Sequence, residues 1–347
     1  MGQKREIVRS FVAQGLKVND ACSIAQIKKS SYYYVNTGTR KGKLPSEFTN
    51  TVDGKVICNE QVVKEIENIL SEPFIDYGYQ RTTYALRNEG YIINHKKVYR
   101  LMKQAGFLHN FKITSGVAQT YVKYTCPNVE HVFELLEMDI KYIYIAGERR
   151  NAFLITIIDV ASRFVIAWCI SYQMKSSQVA KLLAKCKEHP LVQRVLETGK
   201  VRIKIRTDNG PQFISIVIKQ ATNDLDFDKE NIRKATPQQN AHIESFHNTL
   251  QKLTGAFEFD DLEHAQSIFE QFYYTYNYKR IMKSILHQTP AKIIELWLEE
   301  KVEIRRVKGK IRFFYRKEAE INPASSPLKF FSNDKITGQN NNFTNPY

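Results

Sequence analysis

A chain of 347 residues has room for two or three domains, one of them with a core of enzyme size. Lys plus Arg number 51 against 36 Asp plus Glu, a formal charge of +15 with a pI near 9.4, and a balance this basic points to a polyanionic partner, most commonly nucleic acid. A hydrophobic fraction of 43% with no membrane-length apolar run, behind the polar start Met1-Gly2-Gln3-Lys4-Arg5-Glu6, argues against a spanning or secreted chain and for a cytoplasmic one.

Residues 1–35 read as short helices. Glu6-Ile7-Val8 to Phe11-Val12 has helical spacing, and Val18 to Cys22 starts a second helix with Asn19 or Asp20 placed to cap it. Ser30 to Tyr34 opens a third after a turn at Ile27, which together suggest a helix-turn-helix-like module. Residues 36–58, with Gly38, Gly42, Pro45 and Gly54 among basic residues, read as a linker. Residues 59–106 form a second, sharper module. Val62 to Leu70 is helical and is stopped by Pro73, Tyr79 to Asn88 is a second helix ending at Gly90, and Asn94 caps a third, His95 to Lys103. In that third helix Val98, Leu101, Met102 and Ala105 make one apolar stripe, leaving Lys96, Lys97, Arg100 and Lys103 on the other faces. This is the pattern of a recognition helix in a DNA groove, or of a basic surface helix that binds nothing.

Residues 107–132 are polar with little periodicity and read as a second linker. From residue 133 the texture becomes that of strands. Leu135–Ile145, Phe153–Asp159 and Phe164–Trp168 make an antiparallel meander with a turn at Gly147. A helix from Ser176 to Lys187 follows, then a basic strand from Val201 to Arg206 ending at Thr207-Asp208-Asn209-Gly210, then a helix from Ala241 to Leu253. That order is the order of an RNase H-like domain, over residues 133–298. The fold class expected is α/β: an RNase H-like core (a mixed five-stranded sheet with helices) preceded by all-α helix-turn-helix DNA-binding modules. Residues 299–347 read as a basic hairpin about Lys308-Gly309-Lys310, gripping a DNA backbone or simply solvated, and a disordered tail rich in Asn, Ser and Pro. The five cysteines, Cys22, Cys58, Cys126, Cys169 and Cys186, form no CxxC pair, which argues against a disulfide framework or a zinc finger.

Three acids stand out. Asp139 lies inside a strand among Leu, Met, Ile and Tyr, Asp208 sits at a strand's carboxyl end, where α/β sheets place ligand groups, and Glu244 lies in the first turn of a helix. Between Asp208 and Glu244 lie 35 residues. This pattern resembles the DDE transposase and integrase superfamily, in which two strand-borne aspartates and a helix-borne glutamate converge with that gap. The words Tyr77-Gly78-Tyr79-Gln80-Arg81, Val98-Tyr99-Arg100-Leu101-Met102, Asp159-Val160-Ala161-Ser162-Arg163, Asp208-Asn209-Gly210 and Asn240-Ala241-His242-Ile243-Glu244-Ser245-Phe246 narrow the resemblance to insertion-sequence family three. Tyr276-Asn277 with Lys279-Arg280, then Thr289-Pro290, resembles that family's closing motif, and the likeness covers roughly residues 10–297. Lys141 and Leu136 stand where the family usually has Thr and Trp, and its basic residue seven beyond the glutamate is here Gln251, with Lys252 next.

The resemblance implies a DNA transposase whose Asp139, Asp208 and Glu244 are catalytic and hold metal. Crowded carboxylates raise each other's pKa, and a pair of divalent cations removes the conflict. Oxygen ligands favour Mg²⁺, with Mn²⁺ as a substitute. Also implied are double-stranded DNA (terminal inverted repeats and target) as partner, a first-reading-frame protein or fusion, a homo-oligomer on DNA, and a nucleoid-associated bacterial setting. The DNA-binding candidates are Lys96, Lys97, Arg100, Lys103, Asn240, Lys252, Lys279 and Arg280. Asn240 caps its helix or orients Glu244. Asp159 reads as a turn cap or a partner of Arg163 rather than a fourth ligand, and His242 and His247 read as surface histidines. The alternatives are a non-cutting regulator derived from a transposase, and a retroviral-type integrase or nuclease.

Overall fold

The computed structural model describes residues 2–34, 45–108, 128–208, 210–231 and 240–316. Most of the linker read at 107–132, part of that at 36–58 and the C-terminal tail therefore lie outside the described residues. The chain divides into two units, residues 1–46 and 47–347.

In the first unit α1 (Gly2–Ala13), α2 (Val18–Ile24) and α3 (Lys29–Tyr33) pack around Val8, Ala21, Cys22, Ala25 and Ile27. The Arg5 guanidinium donates to the Ser31 carbonyl at 2.6 and 3.0 Å, tying α1 to α3. The cap position of α2 falls on Lys17, without a side-chain bond, so Asn19 and Asp20 lie inside the first turn instead.

The second unit opens with β1 (Phe48–Thr51), β2 (Val56–Cys58), α4 (Asn59–Ser71), α5 (Tyr79–Asn88), β3 (Tyr91–Ile92) and α6 (His95–Gln104). Asn94 caps α6 as expected, its side chain accepting from the Lys96 N–H at 2.9 Å. Val62, Ile66, Leu86, Val98, Leu101 and Met102 form the core beneath the three helices. The expectation of a purely helical module is corrected here: β1 and β2, which fall in the stretch read as linker, form a small antiparallel sheet in the order β2-β1-β3. These strands span only two to four residues, too short for an alternation to register, and β1 pairs with a distant segment through Asn50↔Ile92.

The larger part of this unit contains β4 (Leu135–Ile145), β5 (Arg150–Asp159), β6 (Val165–Ser171), α7 (Ser176–Glu188), α8 (Pro190–Leu196), β7 (Lys204–Thr207), α9 (Pro211–Ile214), α10 (Ile216–Asp224) and β8 (Asp228–Asn231). There follow α11 (Ala241–Thr254), α12 (Leu262–Tyr274), a π-helical turn (Thr275–Lys279), α13 (Pro290–Leu298) and the hairpin β9 (Val302–Val307)–β10 (Lys310–Tyr315). The sheet runs β6-β5-β4-β7-β8, with β4, β5 and β6 antiparallel and β7 and β8 parallel to β4, the mixed five-stranded arrangement expected. Side-chain alternation splits the strands between two cores. Leu136 and Met138 of β4, with Ile155 and Ile157 of β5, pack with α7, α8 and α13. Ile143 and Ile145, with Leu154 and Ile158, pack with α11 and α12. From Glu137 onward the odd positions of β4, Asp139 among them, thus lie on the side of α11. Gly147 turns β4 into β5 where no side chain fits, since a Cβ there would lie 2.0 Å from the Asp260 carbonyl oxygen.

Candidate active site

The two aspartates come together through strand pairing. The parallel register of β4 and β7 ends at Met138↔Thr207, and Asp139 on β4 and Asp208, just past the end of β7, are the next residues along. Asp208 is held by its own turn, its Oδ1 accepting the Gly210 N–H at 2.9 Å. Burial first, and then the charges of Asp208 and Glu244, push the Asp139 carboxyl up to about 6. Burial and then the charge of Glu137 also raise the Glu244 carboxyl above its ordinary range.

Glu244 is placed by the seating of α11 on β4. The agent is Glu137, a fully buried acid two positions before Asp139 and therefore on the same face of the strand. Its Oε2 accepts the Ile243 N–H at 2.8 Å and its Oε1 lies 3.0 Å from His242 Nδ1. A carboxylate against the first-turn N–H of a helix is also favoured by the helix dipole. One turn beyond Glu244, His247 Nδ1 lies 3.5 Å from Asp139 Oδ2. Burial, with Lys141 nearby, pushes the His247 ring down to about 4, so it is neutral near pH 7. Sequence reading missed Glu137, although an acid inside Leu135-Leu136-Glu137-Met138 is as misplaced as Asp139. It also read His242 and His247 as surface residues, and both are largely buried against these acids.

Asp139 senses the charges of Asp208 and Glu244, yet among the described residues no three His, Cys, Asp or Glu side chains are gathered in a way that could hold a metal ion. The donor set itself, all hard oxygens and crowded by like charge, suits a divalent cation.

Other expected residues sort differently. Asp159 is a turn cap: its oxygens accept from Ser162 N–H at 2.7 Å, Ser162 Oγ at 2.6 Å and Phe133 N–H at 3.1 Å. Asn240 is buried at the cap position of α11 but makes no side-chain cap bond. Lys96 and Lys103 are exposed on α6, whereas the Lys97 amino group donates to the Phe48 carbonyl at 2.7 Å and so braces β1. Arg280 is a correction. Its side chain is only 6% exposed and is taken by Asp76, so it presents no charge to DNA. Lys252 and Lys279 likewise contact Asp76 and Glu72, while staying partly exposed. Asn277 of the closing motif serves the sheet: its side chain accepts from Val165 N–H at 2.9 Å and donates to Val165 O at 2.8 Å.

No helix among the described residues is long and apolar enough to cross a membrane. The Integrase core domain family matches residues 129–237 and, through a second profile, 225–290, and the HTH-like domain family matches residues 58–111. A transposase for insertion sequence element IS904 of Lactococcus lactis subsp. lactis is 27% identical over 249 residues, 67% of this chain and 92% of that protein. A protein of insertion element IS476 from Xanthomonas euvesicatoria is 25% identical, over 83% of this chain and 76% of that protein. Among solved structures, the catalytic domain of Mos1 mariner transposase has a TM-score of 0.38 at 13% identity, over 49% of this chain and 80% of that one.

Proposed function

We propose that this chain, an integrase core domain behind an HTH-like domain, is an insertion-sequence transposase, and that Asp139, Asp208 and Glu244 are the carboxylates with which it cuts and joins DNA. The observation that carries the assignment is the pairing of β4 with β7, which brings Asp139 on β4 beside Asp208, just past the end of β7, with the helix that bears Glu244 seated on β4.

The three acids would hold Mg²⁺, with Mn²⁺ as a substitute, two ions to a site. Two such ions, when bound, activate an attacking oxygen and stabilise a leaving one in phosphoryl transfer. The chain's own part is positional. Glu137 sets the start of α11, the Gly210 N–H orients Asp208, and the uncharged His247 ring faces Asp139 without adding a cation that would compete with metal. The exposed Lys96 and Lys103 of α6, with Arg100, hold the terminal repeat through its phosphates. Water attacks a phosphodiester at the element end and the 3′-oxygen leaves as a free hydroxyl; that hydroxyl then attacks a second phosphodiester, whose own 3′-oxygen leaves as the new bond forms. A first-reading-frame protein and a second copy of the chain complete the assembly.

The direct test incubates the chain with DNA carrying the flanking terminal repeats and Mg²⁺ and follows strand transfer. Joined product that disappears with Asp139→Asn is expected. Tight, specific end binding without any cut or joined product, in Mg²⁺ or Mn²⁺, would leave the non-cutting regulator as the reading.

A further inference from the structure

The loop between α4 and α5 is seated on the integrase core, and it is there that two of the sequence words, Tyr77-Gly78-Tyr79-Gln80-Arg81 and Tyr276-Asn277 with Lys279-Arg280, meet. Tyr77, 2% exposed, donates its hydroxyl to the Lys279 carbonyl at 3.2 Å and accepts the Ile281 N–H at 2.7 Å. Asp76 Oδ1 accepts from Arg280 Nη2 at 2.6 Å, and Arg280 Nη1 donates to the Phe74 carbonyl at 3.0 Å. The other oxygen of Asp76 takes the Lys252 amino group, from the same helix as Glu244. The Phe74 ring enters the core against Phe257 and Phe272. A second contact lies further along: Tyr84 of α5 stacks on His287, ring centroids 3.5 Å apart and 6° from parallel. Leu286 and His287 are held there at φ of +59° and +57°, a left-handed conformation that non-glycine residues keep only where their surroundings impose it.

We propose that this contact is a fixed joint, with Asp76 and Tyr77 as its positioning residues. It sets the distance from the sequence read by α6 to the bond cut at the triad, and so decides which phosphodiester is cleaved. The physical ground is the kind of bond used. A buried ion pair adds little net stability over apolar packing, but it tolerates no slippage, because a shift of the loop would strand the Arg280 charge in a dry contact. The buried Tyr77 hydroxyl imposes the same condition on the Ile281 N–H, which has no water to turn to. The contact also joins the two structures whose relative placement matters: Arg81 of α5 lies 3.5 Å from Asp76 on one side, and Lys252 of α11 meets it on the other.

The joint bears on cleavage only if the triad cuts, as proposed above, so the test has two arms. Hydrogen exchange is followed on the full chain in peptides spanning residues 275–285, for the unmodified protein, Asp76→Asn and Tyr77→Phe. The same proteins are bound to end-labelled terminal-repeat DNA in Mg²⁺, and the nick is mapped to the nucleotide. Faster exchange around Ile281, unchanged affinity for the DNA and a nick that spreads to neighbouring phosphodiesters are expected. If Asp76→Asn does not fold, Tyr77→Phe, which removes one hydroxyl, carries both arms. Unchanged exchange in a folded variant, or faster exchange with a nick still confined to one bond at the normal rate, overturns the joint. An unmodified chain that binds but never nicks counts against the catalytic reading, and the exchange arm then still decides whether the two parts are held rigidly.

Discussion

A fully buried carboxylate persists only where donors meet its oxygens, and Glu137 meets that condition through the Ile243 N–H and the His242 ring. Glu137→Gln replaces one acceptor with an amide NH₂ facing a donor. We expect it to cost about 1–3 kcal/mol of stability, the range for a buried group left unsatisfied. Strand transfer should fall as well, because the first turn of α11 is where Glu244 sits. A thermal midpoint and a joining rate both equal to the unmodified values would refute the role of Glu137. The triad makes a sharper demand. Replacing Asp139, Asp208 or Glu244 by Ala removes a proposed metal ligand, and losing several kcal/mol of transition-state stabilisation would correspond to about 10³-fold in joining rate. End binding, measured by gel shift, should stay largely intact, since it rests on phosphate contacts elsewhere. A variant that retains near-normal joining takes its residue out of the site.

At the scale of single elements, α6 and the end of α5 behave differently. Lys97 braces β1, so the test of the proposed DNA contacts of α6 is made at Lys96, Arg100 and Lys103. Neutralising these three should weaken binding to the element ends and flatten its salt dependence, by about 0.9 in log–log slope for each phosphate that is no longer neutralised. Unchanged affinity in a titration would shift recognition to the first unit. At the C-terminal cap of α5, burial and then the charge of Glu65 push the Glu89 carboxyl up to about 7. Its folded value stands above its ordinary 4.5, so the ionised pair opposes folding. That opposition is absent below about 4.5 and complete above about 7. Glu89→Gln should therefore raise the unfolding midpoint at pH 8 by a few degrees, ~3 °C, and leave it nearly unchanged at pH 4. An equal shift at both pH values would mean that packing, not charge, explains the effect.

For the whole molecule the question is how many chains one reaction needs. Transposition joins two ends, while each chain carries one proposed triad and one proposed recognition helix. We expect assembly on DNA to raise the local concentration of a second copy, so that chains pair once bound. Mixing a Glu244→Ala chain with one whose Lys96, Arg100 and Lys103 are neutralised tests this. Restored joining in the mixture is expected, with DNA held by one chain and cut by the other. A mixture that stays inactive, while single bound chains of the unmodified protein are active, excludes the shared assembly.

Much of this was written locally in the chain. The meander from Leu135 to Trp168, the cap at Asn94, the apolar stripe of α6 and the spacing of Asp139, Asp208 and Glu244 follow from neighbouring residues, because periodicity and capping are short-range properties. The strand and helix settings of Asp139, Asp208 and Glu244 were legible for the same reason, whereas Glu137, in the same apolar run as Asp139, showed its role only through its distant partners. What required the tertiary structure was the choice of partners. Glu137 meets its helix across 105 and 106 residues, Lys252 meets Asp76 across 176 and Lys279 meets Glu72 across 207. A lysine followed by an arginine has the same local pattern whether it faces phosphate or a carboxylate of the same chain, so Arg280 could be read as a DNA contact when it is a buried half of an ion pair. The β1–β3 pairing was hidden for a related reason. Periodicity tells a side chain which face to take, and only the folded chain decides what lies opposite.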